Sequence, residues 1–187
     1  MRLLPSLLVC LVAPWTAASE DAYSLLKPGD LAPPLAFRAL EGDAPTWSQL
    51  KGQAVVLDFW ATWCGPCLKA IPHLNALVEE FAGEPVRFIS VTYENEQTVR
   101  PVLAKHPLRT MVGLDDRCRM FRSYKAWAIP VLVLVGPDGL VKGVINPPDL
   151  SSAVVRELIA GRTPAVAQSL PWKDPKGAEE YFCGSVQ

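Results

Sequence analysis

Apolar runs of strand length alternate with stretches of helical period along most of this chain. Ala54 to Trp60 (AVVLDFW) is a near-continuous apolar run, as expected of a strand buried on both faces. From Gly65 to Ala82, apolar residues recur at Leu68, Ile71, Leu74, Leu77, Val78 and Phe81, which is the spacing of one helix face. Val86 to Thr92 is a second buried-strand run. Strand, helix and strand in succession predict a right-handed βαβ unit. Glu96 to Lys105 predicts a helix containing Pro101, Thr110 to Leu114 a short strand, and Asp115 to Lys125 a helix opened by acidic residues. Pro130 to Val135 (PVLVLV) reads as a strand, Pro137-Asp138-Gly139 as a turn, and Leu140 to Ile145 as the hairpin partner. Asp149 is expected to cap a final helix that ends near Gly161 and Arg162.

The two ends read differently from this body. Arg2 followed by the apolar stretch Leu3 to Ala13, then Ala17-Ala18-Ser19, has the form of a signal peptide over residues 1–19. Cleavage is expected after Ser19 or Ala18. The alternative is an uncleaved membrane anchor, although the run is shorter than the roughly 20 apolar residues of a comfortable span. Residues 20–27 read as a linker and 28–162 as one domain. Residues 163–187 carry several prolines and no period, and are expected to lie over the domain as a tail. Between Pro28 and Leu50, weak strand signals at Leu35 to Leu40 and Thr46 to Leu50 flank a Gly42-Asp43 turn signal, which predicts a hairpin.

Charge narrows the function. With 18 Lys plus Arg against 19 Asp plus Glu, the chain has no basic excess of the kind a nucleic-acid partner selects. Export changes how the five cysteines read. Cys10 would leave with the signal. It is preceded by Val9 where a lipoprotein would carry a small residue. Cys64, Cys67, Cys118 and Cys183 remain, and disulfides persist in the compartment they enter. There is no second C-x-x-C and the two histidines, His73 and His106, are not at ligand spacing, so no metal site is expected.

The chemistry concentrates at Cys64-Gly65-Pro66-Cys67, just after a buried strand and at a helix start. Unpaired first-turn N–H groups and the helix dipole stabilise a thiolate there. Cysteine pKa values fall from about 8.5 to roughly 3.5–7.5 in such settings, and the thiolate is the nucleophile of disulfide exchange. Cys67 lies one helical turn on, within bonding reach. Gly65 and Pro66 suit the first turn, where a missing N–H costs nothing. A structural disulfide and half a metal site are the alternatives for an isolated C-x-x-C. The strand–helix junction and the flanking Trp60 and Trp63 favour a redox pair.

Val55 to Cys67 (VVLDFWATWCGPC) resembles the active-site strand and loop of thioredoxins. Pro28-Gly29-Asp30-Leu31-Ala32-Pro33, Leu50-Lys51-Gly52, Phe59 to Trp63 and Pro137-Asp138-Gly139 are similar to the exported TlpA/ResA-like branch. The likeness runs over residues 28–162. It implies an α/β, thioredoxin-like fold: a central mixed sheet flanked by helices, with an N-terminal β-hairpin extension and an αβ insertion. It implies thiol–disulfide oxidoreductase activity on protein disulfide or thiol substrates, with Cys64 and Cys67 as the redox disulfide and no cofactor. By position, Asp58 matches the family's buried acid, which relays the proton of Cys67. Pro72 matches a helix kink, and Pro130 after Ile129 matches the cis-proline. Trp63, Gly65, Pro66, Ile129 and Pro130 are then the substrate-binding residues.

The chain departs from the pattern in three places. Ala70 stands where many members of the branch carry an acid, and Val131 where a threonine is common. Ser90 or Val91 falls where thioredoxins pair a lysine with the buried acid.

Gly-Pro between the cysteines resembles the reducing thioredoxins, so a reductase is expected. In an oxidising compartment it needs an electron donor, for which a membrane thiol carrier is the expectation. A monomer is expected. An oxidase or isomerase would use the same pair. A non-catalytic binding module would keep the cysteines bridged. A peroxidase would need a further reactive cysteine in a Pro/Thr setting, which the chain lacks. Cys118 either pairs with Cys183, stapling the tail to the body, or is a small buried hydrophobe.

Overall fold

The computed structural model describes residues 26–166 and 183–184. The expected signal peptide, Cys10, most of the linker and most of the tail lie outside the described residues. The elements are β1 (Arg38–Ala39), β2 (Ala54–Phe59), α1 (Gly65–Glu80), β3 (Val86–Thr92), α2 (Glu96–Leu103), β4 (Met111–Leu114), α3 (Arg119–Ser123), β5 (Val131–Val135), β6 (Val141–Ile145) and α4 (Ser152–Ile159). They form one six-stranded sheet in the order β1-β4-β3-β2-β5-β6. β2, β3 and β4 run parallel, while β5, β6 and β1 join antiparallel to their neighbours. This is the mixed sheet expected, with α2 and β4 as the αβ insertion.

The continuous apolar runs form the middle of the sheet. Every residue of β2 and β5 is buried. Side-chain alternation along β2 divides the core. Val55, Leu57 and Phe59 pack with Met120, Phe121 and Tyr124 on one face. Ala54 and Val56 pack with Leu74, Leu77 and Phe81 of the α1 region and Val154, Val155 and Leu158 of α4 on the other. Each such large side chain contributes about 1.5–3 kcal/mol of burial. Asp58 continues the α1-side register, so a carboxylate interrupts an otherwise apolar face beneath α1.

The N-terminal region departs from expectation. Only Arg38–Ala39 of the first strand signal forms a strand, and it pairs with β4 rather than with residues 46–50. Thr46 to Leu50 curls into a helical-type turn, with the Gln49 and Leu50 N–H groups donating to the Thr46 carbonyl. The Gln49 side chain accepts from the Thr46 N–H at 2.8 Å, and Trp47 Nε1–H donates to the Pro33 carbonyl at 2.8 Å. These local partners satisfy the backbone that a hairpin would have paired.

Two helix boundaries are also corrected. The helix expected from Asp115 starts at Arg119, because Cys118 adopts left-handed φ of 54° and breaks the run. The last helix is capped by Ser151, whose hydroxyl accepts from the Val154 N–H, and Asp149 sits in a preceding 3-10 turn.

Candidate active site

β2 delivers Trp60 to Trp63 to the C-terminal edge of the parallel strands, where α1 begins. Cys64 is the N-cap of α1, with extended backbone (φ −79°, ψ 95°). Its Sγ accepts the Cys67 backbone N–H at 3.2 Å. Cys64 and Cys67 are joined by a disulfide with Cα atoms 5.2 Å apart. Both are buried in a cluster with Trp60, Ala61, Val99 and Leu114, against which Ile129 packs. Gly65 and Pro66 occupy the first turn. Trp63 is 51% exposed beside the pair.

The Ile129–Pro130 peptide is cis. Pro130 and Pro66 face one groove of about 370 Å³, whose walls include Ala70, His73, Pro147 and Pro148. Prolines and an alanine make its surface largely apolar. Lys69 supplies a cation at its rim. No backbone hydrogen bond among the described residues ties Ile129.

Asp58 lies opposite Ser90 on β3 and Leu132 on β5. The Ser90 hydroxyl donates to Asp58 Oδ2 at 2.8 Å, and the Thr110 hydroxyl donates to Ser90 Oγ at 2.8 Å. Burial pushes the Asp58 carboxyl up to about 7, and the Ser90 hydrogen bond acts against that rise. The group thus changes protonation near neutral pH, where a proton relay is effective.

Three further residues shape the site and were not singled out by sequence. Glu94, just past β3, accepts from the Thr62 N–H and from the Thr62 hydroxyl, each at 2.6 Å. Tyr93 Oη accepts from Trp63 Nε1–H at 2.8 Å. Both fasten the loop that carries Cys64. Their one sequence signal was position: they follow a parallel strand, and open α/β sheets gather their functional groups at strand C-termini. Thr110 had no signal at all. His73, read as an ordinary surface residue, is exposed but has Nε2 2.6 Å from the Leu150 carbonyl.

Cys118 and Cys183 form the second disulfide, with Cα atoms 5.7 Å apart. Both are buried on the α3 face of the sheet, in a different cluster from the first pair. Among the described residues no group of three or more His, Cys, Asp or Glu is arranged to hold a metal. No helix among them is long and apolar enough to cross a membrane.

The AhpC/TSA family pattern matches residues 28–144. The chain belongs to the AhpC/TSA family, of thioredoxin-like fold. Within that family setting, it is 32% identical over 114 residues to a thiol-disulfide oxidoreductase ResA of Bacillus cereus. That match covers 60% of this chain and 66% of the relative, so the chain spans just under two thirds of the relative's length. A Chlorobium tepidum structure, provisionally named thiol:disulfide interchange protein DsbE, superposes with a TM-score of 0.64 at 27% identity, over 72% of this chain and 97% of that one. The thioredoxin domain of a thiol-disulfide oxidoreductase from Bacteroides vulgatus shares the fold, with a TM-score of 0.61 at 22% identity, over 74% of this chain and 99% of that one.

Proposed function

We propose that this AhpC/TSA-family protein is an exported thiol–disulfide oxidoreductase that reduces disulfides in protein substrates. The observation that carries the reading is Cys64 at the N-cap of α1, its sulfur facing the Cys67 N–H, with Pro130 across the groove. In the reduced state the Cys64 thiolate attacks a substrate disulfide. One substrate sulfur leaves as a thiol and a mixed disulfide forms on Cys64. Asp58 takes the Cys67 proton, and the Cys67 thiolate attacks Cys64 Sγ. The second substrate thiol leaves, and the enzyme pair is oxidised by the two electrons the substrate gained.

The groove supports an extended polypeptide as substrate. Free backbone groups at Ile129 suit strand-like pairing, and the apolar proline walls suit a nonpolar residue flanking the substrate cysteine. Trp63 and Gly65 border the attacking sulfur. The names of the ResA and DsbE relatives favour the same class of reaction. Gly-Pro between the cysteines favours the reducing direction, since thioredoxin sits at about −270 mV against about −120 mV for DsbA. The N-terminal signal pattern favours export. In an oxidising compartment the pair then needs a thiol donor, for which we assign a membrane carrier. The chain is assigned as a monomer.

The test is equilibration of Cys64–Cys67 with glutathione or dithiothreitol buffers, together with insulin reduction. A potential near the thioredoxin value, with turnover lost in Cys64→Ser, supports a reductase. A potential near that of DsbA turns the assignment to an oxidase. Unchanged turnover in both Cys64→Ser and Cys67→Ser would leave a non-catalytic binding module.

A further inference from the structure

Asp58 is the one carboxylate on the apolar face of β2, and no cation among the described residues compensates it. Its neighbours on β3 and β5 are Ser90 and Leu132. The α1 residues buried over the sheet are Cys67, Ile71, Leu74 and Leu77, and those of α4 are Val154, Val155 and Leu158. Of all these, Cys67 alone can ionise, and only when reduced. What Asp58 does have is a pair of hydroxyls in series. Ser90 is fully buried and Thr110 nearly so, and both bonds are 2.8 Å. No other hydrogen bond to either Asp58 oxygen occurs among the described residues, which leaves Oδ1 free of Ser90.

We propose that Ser90, oriented by Thr110, is the positioning residue for the Asp58 carboxyl, holding Oδ2 so that Oδ1 is presented to the proton of Cys67. The proposal rests on the assignment of Asp58 as the base for Cys67. A lone carboxylate on an apolar surface is expensive to ionise. A hydroxyl that donates to it favours the ionised form. Ser90 can donate one proton only, and its lone pairs need a partner to fix which way that proton points. Thr110 supplies that partner by donating to Ser90 Oγ, so the Ser90 proton is left to point at Asp58. When Oδ1 takes the proton, Oδ2 remains an acceptor, so the Ser90 and Thr110 bonds persist unchanged. The carboxyl therefore keeps its orientation through both halves of the reaction. Thr110 is itself held in place from above, as Asn75 of α1 donates to the Pro107 carbonyl and accepts from the Arg109 N–H, both at 2.8 Å.

The experiment follows resolution of a mixed disulfide without needing the natural client. Full-length protein carrying Cys10→Ser, reduced at Cys64–Cys67 with the Cys118–Cys183 disulfide left intact, is mixed with 5,5′-dithiobis(2-nitrobenzoate). Cys64 attacks and releases one thionitrobenzoate, and Cys67 then displaces the second, whose release rate is read against pH. In the native protein this second phase is expected to accelerate through neutral pH. In Ser90→Ala its midpoint is expected to move up by about one to two pH units, the size of one hydrogen bond to a charged group. The first phase is expected to stay the same. Ser90→Thr keeps the hydroxyl and is expected to restore the native midpoint, and Thr110→Val to shift it upward by less than Ser90→Ala. A native midpoint in well-folded Ser90→Ala and Thr110→Val would overturn the proposal. Asp58→Asn separates it from the reading beneath it. If Asp58→Asn abolishes the limb and Ser90→Ala leaves it in place, the positioning role fails alone. If Asp58→Asn leaves the limb intact, the base assignment fails and this proposal with it.

Discussion

Among the described residues, two helices have a cysteine at the N-cap, and the two cysteines have opposite surroundings. Cys64 caps the sixteen-residue α1 in an extended conformation and turns its sulfur onto a backbone N–H. Cys118 caps the five-residue α3 in a left-handed conformation and makes no side-chain cap. The first-turn N–H groups of α3 are already taken. Asp115 accepts from Arg119 at 2.8 Å, Met120 at 2.8 Å and Phe121 at 2.9 Å. A helix N-terminus has a limited set of orphan donors. Where the sulfur receives them, a thiolate is stabilised. Where a carboxylate receives them, the cysteine is left in an apolar setting that favours the neutral thiol. The two disulfides also close different lengths of chain, 3 residues apart in sequence in one and 65 in the other. The first constrains little and is suited to opening and closing. The second ties a distant segment to the sheet.

Removing one cysteine from each pair separates their roles most strongly. Cys64→Ser is expected to lower insulin reduction by about a thousandfold or more, whereas Cys118→Ser is expected to leave the rate within about twofold. Equal losses would show that the second pair takes part in turnover. Asp58 stands beneath the first pair, and Asp58→Asn is expected to slow turnover on the order of a hundredfold at pH 7.

Asp58 also carries a stability signature. Its proton affinity is higher in the folded state, about 7 against 3.8, so the ionised carboxylate costs stability as pH rises through that window. Asp58→Asn is expected to stabilise the protein by on the order of 2–4 kcal/mol at pH 8 and by little near pH 4. Denaturant melts at the two pH values check the sign.

The second pair should act on stability alone. Cys118→Ser together with Cys183→Ser is expected to cost about 2–4 kcal/mol, lowering Tm by about 5–15 °C for a chain of this size, with the Cys64–Cys67 potential unchanged. The smallest effect tests the cap. Asp115→Ala is expected to cost about 1–2 kcal/mol by unpairing the first-turn N–H groups of α3. It would also raise the alkylation rate of Cys118 in protein whose disulfides have been reduced. An unaltered alkylation rate would mean that burial, not the competing carboxylate, keeps that cysteine quiet.

The parts of the fold legible beforehand were those built on local, strongly apolar signals. Val55 to Phe59 and Val131 to Val135 could only be central strands, and Leu68 to Phe81 only a helix covering them. Where apolar signal was weak, partners distant in sequence decided the outcome. Thr46 to Leu50 had enough β propensity to pass for a strand, yet Trp47 found the Pro33 carbonyl and Thr46 found Gln49. The acidic start at Asp115 read as a helix opening, but the carboxylate reaches forward across Cys118 to cap from outside the helix. Glu94 and Tyr93 carried no motif, because their role comes from β3 lying beside β2, which local pattern does not express.

What local pattern alone fixes is where the two candidate redox sulfurs, Cys64 and Cys67, lie. A C-x-x-C at the junction of an apolar strand and a helix places two sulfurs one turn apart at a helix N-terminus, and that spacing needs no distant partner. Local pattern also determined that a carboxylate would interrupt strand β2. What each of these groups meets depends on how the strands come together. Ser90 is 32 residues from Asp58 and Thr110 a further 20 from Ser90, and their hydroxyls line up because β2, β3 and β4 pair in one register. The same holds for Cys118, whose partner is set by where the chain returns after 65 residues. Hydrogen bonds and disulfides act over a few ångströms, so sequence-distant groups acquire partners only once sheet order and register bring them together.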